Sequence, residues 1–403
     1  MAISRMSKRL ALGLLAPVEL ALLPVLAGLC AVARLWPKRI DVGLGPEPLV
    51  NNIYHKRALE RQGYTAETFV HTVYFTTSAF DVRADQLFRS PLFQPMRWFY
   101  LFILAVFRYR ALYIYFSGGP LFPTAWIWRL EPHLLHLAGV KVVVLPYGAD
   151  VQDLSQCPNP HFKHAMSRDY PGHRCECRKI ARRIDLWTHH ADHIIAGCDW
   201  VDYLYYWDTL MLAHFSIDVE EWTPPESPPG GGGAPLRILH APNHRHIKGT
   251  QQLIEAVEAL KQEGVAVELE ILEGVPNDEV RRALARADIV VDQLIIGWYA
   301  MFAIEAMAMG KPLLCYLRPD LKRFYECAGL VEPGEIPIVE CATVTVKETI
   351  RRLALHRETL PDIGRRCRAY VVRHHSLERV GRVFAAANRS MGLAAGGRAS
   401  ETT

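Results

Sequence analysis

Residues 236–317 decide the fold: they open with LRILHAPNHRHIKG (236–249) and close with VVDQLIIGWYAMFAIEAMAMGKPLLCYL (290–317). Between these stretches the chain reads QQLIEAVEALKQEG (251–264), VAVELEILEG (265–274) and NDEVRRALARAD (277–288). Short apolar runs alternate here with longer segments in which apolar residues recur every three to four positions. This alternation predicts a parallel β-sheet that is covered by α-helices.

Two loops of this region carry polar side chains at the point where a predicted strand ends. The first loop contributes Asn243, Arg245 and Lys248, which follow the strand LRILH. Ligands of open parallel sheets bind at such carboxyl ends. Two cations before the first amides of a helix form an anion site that suits a diphosphate, although both residue types are also common in solvated turns. The loop therefore indicates either a phosphate site or an ordinary surface turn.

The second loop leads from Gly297 into an apolar helix that contains Glu305. A carboxylate in such a helix is costly unless it is paired or accepts hydrogen bonds, and the two vicinal hydroxyls of a ribose are a natural partner. The alternative is a carboxylate near a helix start that the helix dipole stabilises. Gly297, Trp298 and Tyr299 leave backbone amides near a bound group, so we include them among the candidate ligand-binding residues.

The totals limit the class of protein. With 403 residues, the chain is long enough for two domains. Half of the residues are hydrophobic and 22% are charged, which argues against wholesale disorder. A net charge of +4 is too small to indicate nucleic-acid binding, and we expect no nucleic acid among the partners.

Nine scattered cysteines indicate reduced thiols of a cytosolic protein rather than a disulfide framework. One polar stretch interleaves cysteines and histidines: Cys157, His161, His164, His173, Cys175 and Cys177. A zinc site is one interpretation, but the spacing matches neither paired CxxC motifs nor HExxH, and we predict no metal. The basic residues of this stretch indicate either a site for an anionic acceptor or a solvated surface loop.

Residues 1–39 are predicted to form a hydrophobic membrane anchor. The apolar run from Leu10 to Trp36 has basic residues at both ends and is long enough to cross a bilayer, which needs about 20 residues. Pro17, Glu19 and Pro24 argue against a straight span, because they would kink the helix and bury a carboxyl group. A re-entrant or tilted anchor resolves this conflict best, and a buried core helix is the alternative.

The first globular domain is predicted to cover residues 40–222. Several of its predicted strands end in glycine-rich turns, which let a ligand approach the backbone closely. The candidate residues of these turns are Gly43, Gly45, Gly118, Gly119, Tyr147 and Asp150.

A Pro/Gly linker at 223–235, TPPESPPGGGGAP, separates this domain from a second one at 236–390. The tail at 391–403 is expected to be disordered. Two α/β domains joined by a flexible linker suggest a hinge with the ligand held between them.

Two segments resemble the retaining GT-B glycosyltransferases of the family 4 type: HAPNHRHIKGTQQLIEAVEAL (240–260) and GWYAMFAIEAMAMGKPLL (297–314). The resemblance implies an α/β fold with two Rossmann-like domains that face a central cleft. It also implies that Arg245 and Lys248 bind the diphosphate of a nucleotide-sugar donor, and that Glu305 binds its ribose. The family needs no metal or other cofactor, because cationic residues stabilise the charge that develops on the leaving diphosphate.

The sequence departs from the family at two positions. The first glutamate of the family's Glu-seven residues-Glu motif, which usually touches the transferred sugar, falls at Gly297. In the first domain, the histidine of the usual His-Gly-x-Asp turn is replaced by Tyr147, in the segment that ends at Asp150, and the resemblance implies that both are catalytic residues. Both departures concern the sugar rather than the nucleotide, so they leave the sugar's identity open.

The expected activity is therefore transfer of a sugar, with retention, from a nucleotide-sugar to a glycan or polyprenyl-linked acceptor. We expect it in cell-surface polysaccharide or glycoconjugate synthesis, at a membrane surface, with the catalytic domains in the cytoplasm. Two alternatives stay open: a nucleotide-sugar epimerase of the same fold, and a catalytically degenerate scaffold protein. The sequence does not specify the donor sugar, the acceptor or the linkage.

Overall fold

The computed structural model describes residues 5–74, 77–90, 93–225 and 234–396, with side chains from residue 16 onward. Its first sheet contains seven strands: β1 (Ile40–Leu44), β2 (Ala66–Val70), β3 (Val82–Arg83), β4 (Tyr109–Tyr115), β5 (Lys141–Leu145), β6 (His193–Gly197) and β7 (Thr209–Met211). They pair in parallel in the order β3-β2-β1-β4-β5-β6-β7. The central strands are runs of aromatic and β-branched residues that are buried on both faces, as parallel sheets require.

The second sheet contains five strands: β8 (Leu236–His240), β9 (Val267–Ile271), β10 (Ile289–Val291), β11 (Leu313–Cys315) and β12 (Val339–Glu340). They also pair in parallel, in the order β12-β11-β10-β8-β9. The parallel α/β architecture predicted from the sequence is therefore confirmed.

The helices of the first part of the chain are α1 (Arg5–Leu35), α2 (Asn51–Glu60), α3 (Ala84–Leu87), α4 (Gln94–Arg108), α5 (Glu131–Leu137), α6 (Pro160–Asp169) and α7 (Cys177–His190). Those of the second part are α8 (Arg245–Lys248), α9 (Thr250–Gln262), α10 (Asn277–Arg286), α11 (Met301–Ala308), α12 (Pro319–Cys327), α13 (Val346–Leu355), α14 (Leu360–His375) and α15 (Leu377–Ser390). Short 3-10 turns lie at Ile127–Arg129, His173–Cys175, Cys198–Asp202 and Arg357–Thr359.

Each sheet has a point at which the chain reverses the direction in which it adds strands. In the first sheet the reversal separates β1 from β4, and in the second it separates β8 from β10. The loops that leave these neighbouring strands diverge to opposite faces of the sheet and open a crevice, where ligands of doubly wound sheets bind. The two candidate loops of residues 236–317 follow β8 and β10, so the fold places both at one crevice.

The carboxyl edges of the two sheets face each other. From the first domain, the Asn159 side chain donates hydrogen bonds to the carbonyl oxygens of Ile295 (2.8 Å) and Ile296 (3.1 Å), which follow β10. The indole nitrogen of Trp298 donates to the Leu212 carbonyl, 2.9 Å away. These contacts hold two loops of the first domain, after β5 and β7, against the loop that follows β10.

The last helix returns to the first sheet. α15 packs against α2, and Phe384 lies in a buried cluster with Tyr113. The prediction that residues 236–390 form the second domain is therefore wrong at its end, because α15 packs on the first domain. The apolar stripe of α15 predicts that the helix is packed, but local sequence does not indicate which sheet receives it.

The chain after α15 is ordered as far as residue 396. Leu393 is buried, and its carbonyl accepts a hydrogen bond from the Tyr64 hydroxyl, 3.1 Å away. The Gly396 amide donates to the Asp41 carboxylate at 3.1 Å. The prediction of disorder over 391–403 is therefore wrong for 391–396. Residues 397–403, and 226–233 of the predicted linker, lie outside the described residues.

Helix α1 is docked on the first domain along one stripe. Leu26, Cys30 and Ala33 are buried there, and the helix packs against α4 and α5. The Glu19 carboxylate accepts hydrogen bonds from the backbone amides of Ala125 (2.8 Å) and Trp126 (2.7 Å). Glu19 therefore satisfies backbone donors of the folded domain, which accounts for a buried carboxylate inside an apolar helix.

The opposite stripe of α1 is apolar and exposed. Val18, Val25 and Val32, seven residues apart, have 54%, 58% and 54% of their surface exposed. Among the described residues, Ala16–Leu35 is the stretch that is long and apolar enough to cross a membrane, which by itself is weak evidence for a span. The helix is thus neither a fully buried core helix nor a free anchor, since it contacts the protein on one side only.

We expect Glu19→Ala to lower the free energy of unfolding by about 1–3 kcal/mol, because it leaves two amides of the 125–127 turn without an acceptor. Chemical denaturation measures the loss, and Glu332→Ala, at an exposed glutamate, serves as the control. Equal stability of the two variants would show that α1 is not held by this contact.

Candidate functional site

The crevice of the second sheet contains a buried ion pair between Lys248 and Asp292. Lys248 ends α8, Asp292 directly follows β10, and Nζ lies 2.6 Å from Oδ1. Their side chains are 10% and 1% exposed. The second carboxylate oxygen of Asp292 is buried and has no hydrogen-bond partner in the part of the chain that the structure describes. A buried pair with an unsatisfied oxygen is expensive to maintain, so it marks a candidate site for a polar ligand.

His240 fixes the base of this crevice. Its Nδ1 lies 2.8 Å from the Val291 carbonyl, and its Nε2 lies 2.9 Å from the Thr250 hydroxyl. Burial lowers the pKa of the imidazole to about 4, so His240 is neutral at physiological pH. A neutral ring can donate to the carbonyl and accept from the hydroxyl, which locks the ends of β8 and β10 to the start of α9.

Glu305 is a buried carboxylate with a single weak partner. It lies in the middle of α11, and its Oε1 accepts one hydrogen bond from the Asn277 side chain, 3.3 Å away. Burial raises the pKa of Glu305 to about 8; the hydrogen bond from Asn277 opposes this rise and the nearby charge of Asp292 adds to it. Among the described residues, Glu305 is therefore an acceptor group with one weak hydrogen bond.

Arg245 and Lys248 do not point to one common space. The Arg245 guanidinium is about half exposed and pairs with both oxygens of Glu273, at 2.8 and 2.6 Å. Lys248 turns inward to Asp292. A diphosphate that bound both cations would have to bind beside the carboxylates of Glu273 and Asp292 or displace them. Asn243, the third candidate of this loop, is exposed to solvent.

Gly297 is a glycine because Arg318 lies against it. Its φ is 104°, and a Cβ placed there would lie 2.6 Å from both Cγ and Cδ of Arg318. The Arg318 amide also donates to the Gly297 carbonyl at 2.9 Å. The Arg318 guanidinium pairs with Asp202 of the first domain and with Asp320. A glutamate at 297, as the family motif has it, does not fit this arrangement.

The side chains of Trp298 and Tyr299 belong to the core. Trp298 stacks on Tyr299, with ring centroids 5.3 Å apart. The Tyr299 hydroxyl lies 2.8 Å from that of Tyr370 and 3.0 Å from Nε2 of His375. Both residues are almost completely buried, so their side chains position the loop. That backbone amides of this loop lie near a bound group stays a prediction.

Asp150 holds the turn of the first domain. Its Oδ1 accepts from the amides of Tyr147 and Gly148, both at 2.9 Å, and its Oδ2 accepts from Phe116 at 3.0 Å. Burial raises its pKa to about 7, while the hydrogen bonds from the Tyr147 and Gly148 amides oppose this rise. Because both oxygens are bound to backbone, we correct its assignment from a catalytic residue to a positioning residue.

Tyr147 is partly exposed at the carboxyl edge of the first sheet. Its ring stands edge-on to Tyr115, with centroids 5.4 Å apart. Burial raises the pKa of its phenol, and the neighbouring Glu47 and Asp150 raise it further, whereas Arg183 opposes them. Tyr147 thus lies close to three ionisable groups, Glu47, Asp150 and Arg183.

Glu47 and Arg183 were not found by sequence reasoning. Glu47 is buried in the loop after β1, and burial raises its pKa. Arg183, on α7, has a pKa lowered by burial, with Tyr147 and Glu47 acting against that decrease. The position of Glu47 directly after a predicted strand was a usable signal for it. Nothing in the sequence joins Arg183, 136 positions later, to the same edge.

The four candidate glycines of the first domain lie against protein groups. A Cβ at Gly43 would meet the Tyr109 ring at 2.4 Å, and one at Gly45 would meet the Phe69 carbonyl oxygen at 2.0 Å. At Gly118 and Gly119 the obstacles are Phe122, at 2.9 Å, and Glu131, at 2.7 Å, respectively. We therefore correct the prediction that these glycines make room for a ligand, since each makes room for its own fold.

The cysteine and histidine stretch does not gather into a metal centre. Among the described residues, no three His, Cys, Asp or Glu side chains form a group that could hold a metal ion. Cys157 is buried with its thiol directed to the Asn159 carbonyl, 3.4 Å away, whereas Cys175 is exposed.

Comparison with known proteins gives the fold. No protein-family model matches the sequence, and no curated protein matches it by sequence. The structure is similar to Anabaena HepE in complex with UDP-glucose, with a TM-score of 0.56, 12% identity, and coverage of 87% of this chain and 100% of HepE. It is also similar to sucrose-phosphate synthase from Thermosynechococcus elongatus, with a TM-score of 0.56, 12% identity, and coverage of 88% and 99%.

A third similar structure is an alpha-glucosyltransferase in complex with UDP-glucose and DNA, with a TM-score of 0.55 and 12% identity. The match covers 87% of this chain and 99% of the alpha-glucosyltransferase chain. The chain therefore has the GT-B fold of glycosyltransferases, which confirms the predicted fold class. At this identity the likeness establishes the fold, and the activity has to be argued from the site.

Proposed function

We propose that this protein transfers a sugar from a nucleotide-sugar donor to an acceptor. The observation that carries the proposal is Glu305, a buried and almost unpaired carboxylate beside the Lys248–Asp292 ion pair. These groups lie at the crevice of the second sheet, where this fold class binds nucleotides. The UDP-glucose complexes of HepE and of the alpha-glucosyltransferase support the same class of ligand.

Each group has a distinct part in this proposal. Glu305 accepts hydrogen bonds from the ribose hydroxyls, which removes the cost of burying a carboxylate with one weak partner. Lys248 and Arg245 stabilise the charge that develops on the diphosphate as the sugar leaves. The bond that breaks joins the anomeric carbon to the diphosphate oxygen, and the bond that forms joins the same carbon to an acceptor hydroxyl. The proposal assigns no step to a metal or a cofactor.

The sugar end of the site differs from the family pattern. Arg318 occupies the space beside Gly297, so a carboxylate contact to the sugar has no place there. Tyr147 and Glu47, across the cleft, are the polar groups proposed to contact the sugar or the acceptor hydroxyl. Retention of configuration stays a prediction from the resemblance, and NMR of the product's anomeric proton tests it.

The activity is tested by incubating a panel of nucleotide-sugars with the full chain and a membrane extract, and by measuring release of nucleoside diphosphate. We expect one donor to be consumed only when extract is present. Consumption without any extract would favour the epimerase or a hydrolase. If nucleotide bound without turnover of any donor, the protein would be a degenerate scaffold.

We further propose that α1 lies in the plane of a membrane surface, with its exposed stripe in the lipid. Docking through Leu26, Cys30 and Ala33 leaves Val18, Val25 and Val32 to face outward. Basic residues at both ends of the helix suit anionic headgroups. A surface-bound catalytic domain could reach a polyprenyl-linked glycan at the cytoplasmic face, which is the acceptor class we propose.

We expect Val25→Asp/Val32→Asp to reduce binding to vesicles that contain anionic lipid by at least about tenfold. The substitutions place two charges on the face of α1 that is proposed to lie in the lipid. Vesicle co-sedimentation measures the loss. The matched control is Val344→Asp/Leu355→Asp, at residues that are 86% and 68% exposed in the second domain. Equal binding by both variants would remove α1 from the membrane contact.

A further inference from the structure

A slot lined by basic residue types lies between the two domains at one side of the cleft. Its cavity measures about 670 Å³ and lies between α6 of the first domain and α8, α9 and the neighbouring loops of the second. Its basic lining residues are His161, His164, Arg168, Arg245 and His246. No carboxylate from the described residues lines it. The volume suits a ligand of the size of a sugar phosphate.

Four of the five basic side chains have no partner. Arg245 is paired with Glu273 at the rim of the slot. His161, His164, Arg168 and His246 take part in no hydrogen bond or ion pair among the described residues. An arginine can bind a phosphate or carboxylate through two hydrogen bonds, and the ring nitrogens of histidines can donate further hydrogen bonds to the same anion.

Both ends of α6 are tied to the second domain, so the slot has fixed walls. At the first end, Asn159 donates to the Ile295 and Ile296 carbonyls at 2.8 and 3.1 Å. At the other end, the Asp169 carboxylate accepts from the Ile247 amide at 2.8 Å, and the Tyr170 hydroxyl contacts the His244 ring. An anion between these ends would contact both domains at once.

The slot is distinct from the nucleotide crevice. Glu305 and Asp292 do not line it, and the Lys248 side chain is directed away from it, to Asp292. Arg245 is the residue that the two regions share, and its partner Glu273 lies outside the slot. The proposed nucleotide site therefore does not account for the side chains of His164 and Arg168, which line the slot.

We propose that the slot binds an anionic group, phosphate or carboxylate, of the acceptor, and that this anion bridges the two domains. The binding site stands on the slot's own geometry, and its assignment to the acceptor rests on the proposed glycosyl transfer. Because both ends of α6 are tied to the second domain, the anion would bind in a preformed slot and would hold the acceptor against both domains.

The test is a calorimetric titration of the full chain with inorganic pyrophosphate. We expect His164→Ala/Arg168→Ala to weaken pyrophosphate binding at least about tenfold and to leave binding of nucleoside diphosphate unchanged. The matched control is Arg182→Ala/His189→Ala, which removes one arginine and one histidine from the exposed face of α7. Glu305→Gln should show the reverse pattern, with nucleotide binding weakened and pyrophosphate binding retained.

Equal pyrophosphate affinity in the wild type and in His164→Ala/Arg168→Ala would contradict the proposal that the slot binds an anion. So would parallel loss of pyrophosphate and nucleotide binding in Glu305→Gln, because one site would then explain both. Titrations with farnesyl diphosphate and with a glucuronate disaccharide distinguish a lipid phosphate from a sugar carboxylate. If neither bound more weakly to the slot variant than to the wild type, the acceptor assignment would be wrong. Failure of sugar transfer with intact pyrophosphate binding would refute only the activity.

Discussion

Glu305→Gln is expected to lower sugar transfer at least about tenfold and, at the same time, to make the protein more stable at pH 8. The loss follows because the amide replaces a carboxylate that is proposed to accept hydrogen bonds from the ribose. The gain follows because the amide removes a carboxyl group whose ionisation burial opposes. A residue kept for packing alone would not show both effects.

The raised pKa of Glu305 determines the direction in which the free energy of unfolding changes with pH. The folded pKa of Glu305 is about 8, against an ordinary value of 4.5. Between these values the folded protein holds a proton that the unfolded chain releases, so the stability contributed by Glu305 is fully present below pH 4.5 and is lost as pH rises through 8. Glu305→Gln lacks this term, so its stability advantage should grow from pH 5 to pH 8 and reach about one to a few kcal/mol.

Urea denaturation at pH 5, 6, 7 and 8 measures this advantage. Glu332→Gln, at an exposed glutamate, controls for the general effect of removing a negative charge. If the wild type and Glu305→Gln lost stability in parallel over this range, Glu305 would not be held in an unfavourable environment, and the main evidence for a ligand at this position would be lost.

Lys248→Met is expected to destabilise the fold by about 3–5 kcal/mol, because it leaves the Asp292 carboxylate buried without a counter-charge. Asp292 is 1% exposed, and its second oxygen already has no partner. The single substitution therefore confounds folding with catalysis. Lys248→Met/Asp292→Asn removes both charges and should regain most of the lost stability.

Transfer activity should stay at least about tenfold below the wild type in both variants, because neither has the Lys248 cation that is proposed to stabilise the leaving diphosphate. Thermal denaturation and nucleotide release, measured on the same preparations, separate the two effects. Recovery of activity together with stability in Lys248→Met/Asp292→Asn would show that the pair is structural and that Lys248 has no part in transfer.

The sequence predicts the fold well because its signals are local. The apolar periods of residues 236–317 determine strand and helix alternation, and this alternation admits few architectures. The same local signals singled out Lys248 and Glu305, and the structure places Asp292, the partner of Lys248, near Glu305. Their roles in ligand binding stay predictions. Asp292 was missed, although a carboxylate directly after the buried run Val290–Val291 carried the same signal.

The remaining differences depend on contacts between distant residues. Gly297 is explained by Arg318, which reaches it from the loop after β11. Asp150 is engaged by backbone amides of two separate turns, and Glu19 by amides about a hundred positions away. Apolar and aromatic composition could not show that the side chains of Trp298 and Tyr299 pack inward, since such residues serve cores and ligand sites alike.

The central claim is that the crevice beside Glu305 binds a nucleotide diphosphate. Calorimetric titration of the wild type and Glu305→Gln with a set of nucleoside diphosphates tests it most directly. We predict that one nucleotide binds the wild type with one-to-one stoichiometry and binds Glu305→Gln at least about tenfold more weakly. Absence of binding for every nucleotide, or equal affinity in the two proteins, would contradict the account.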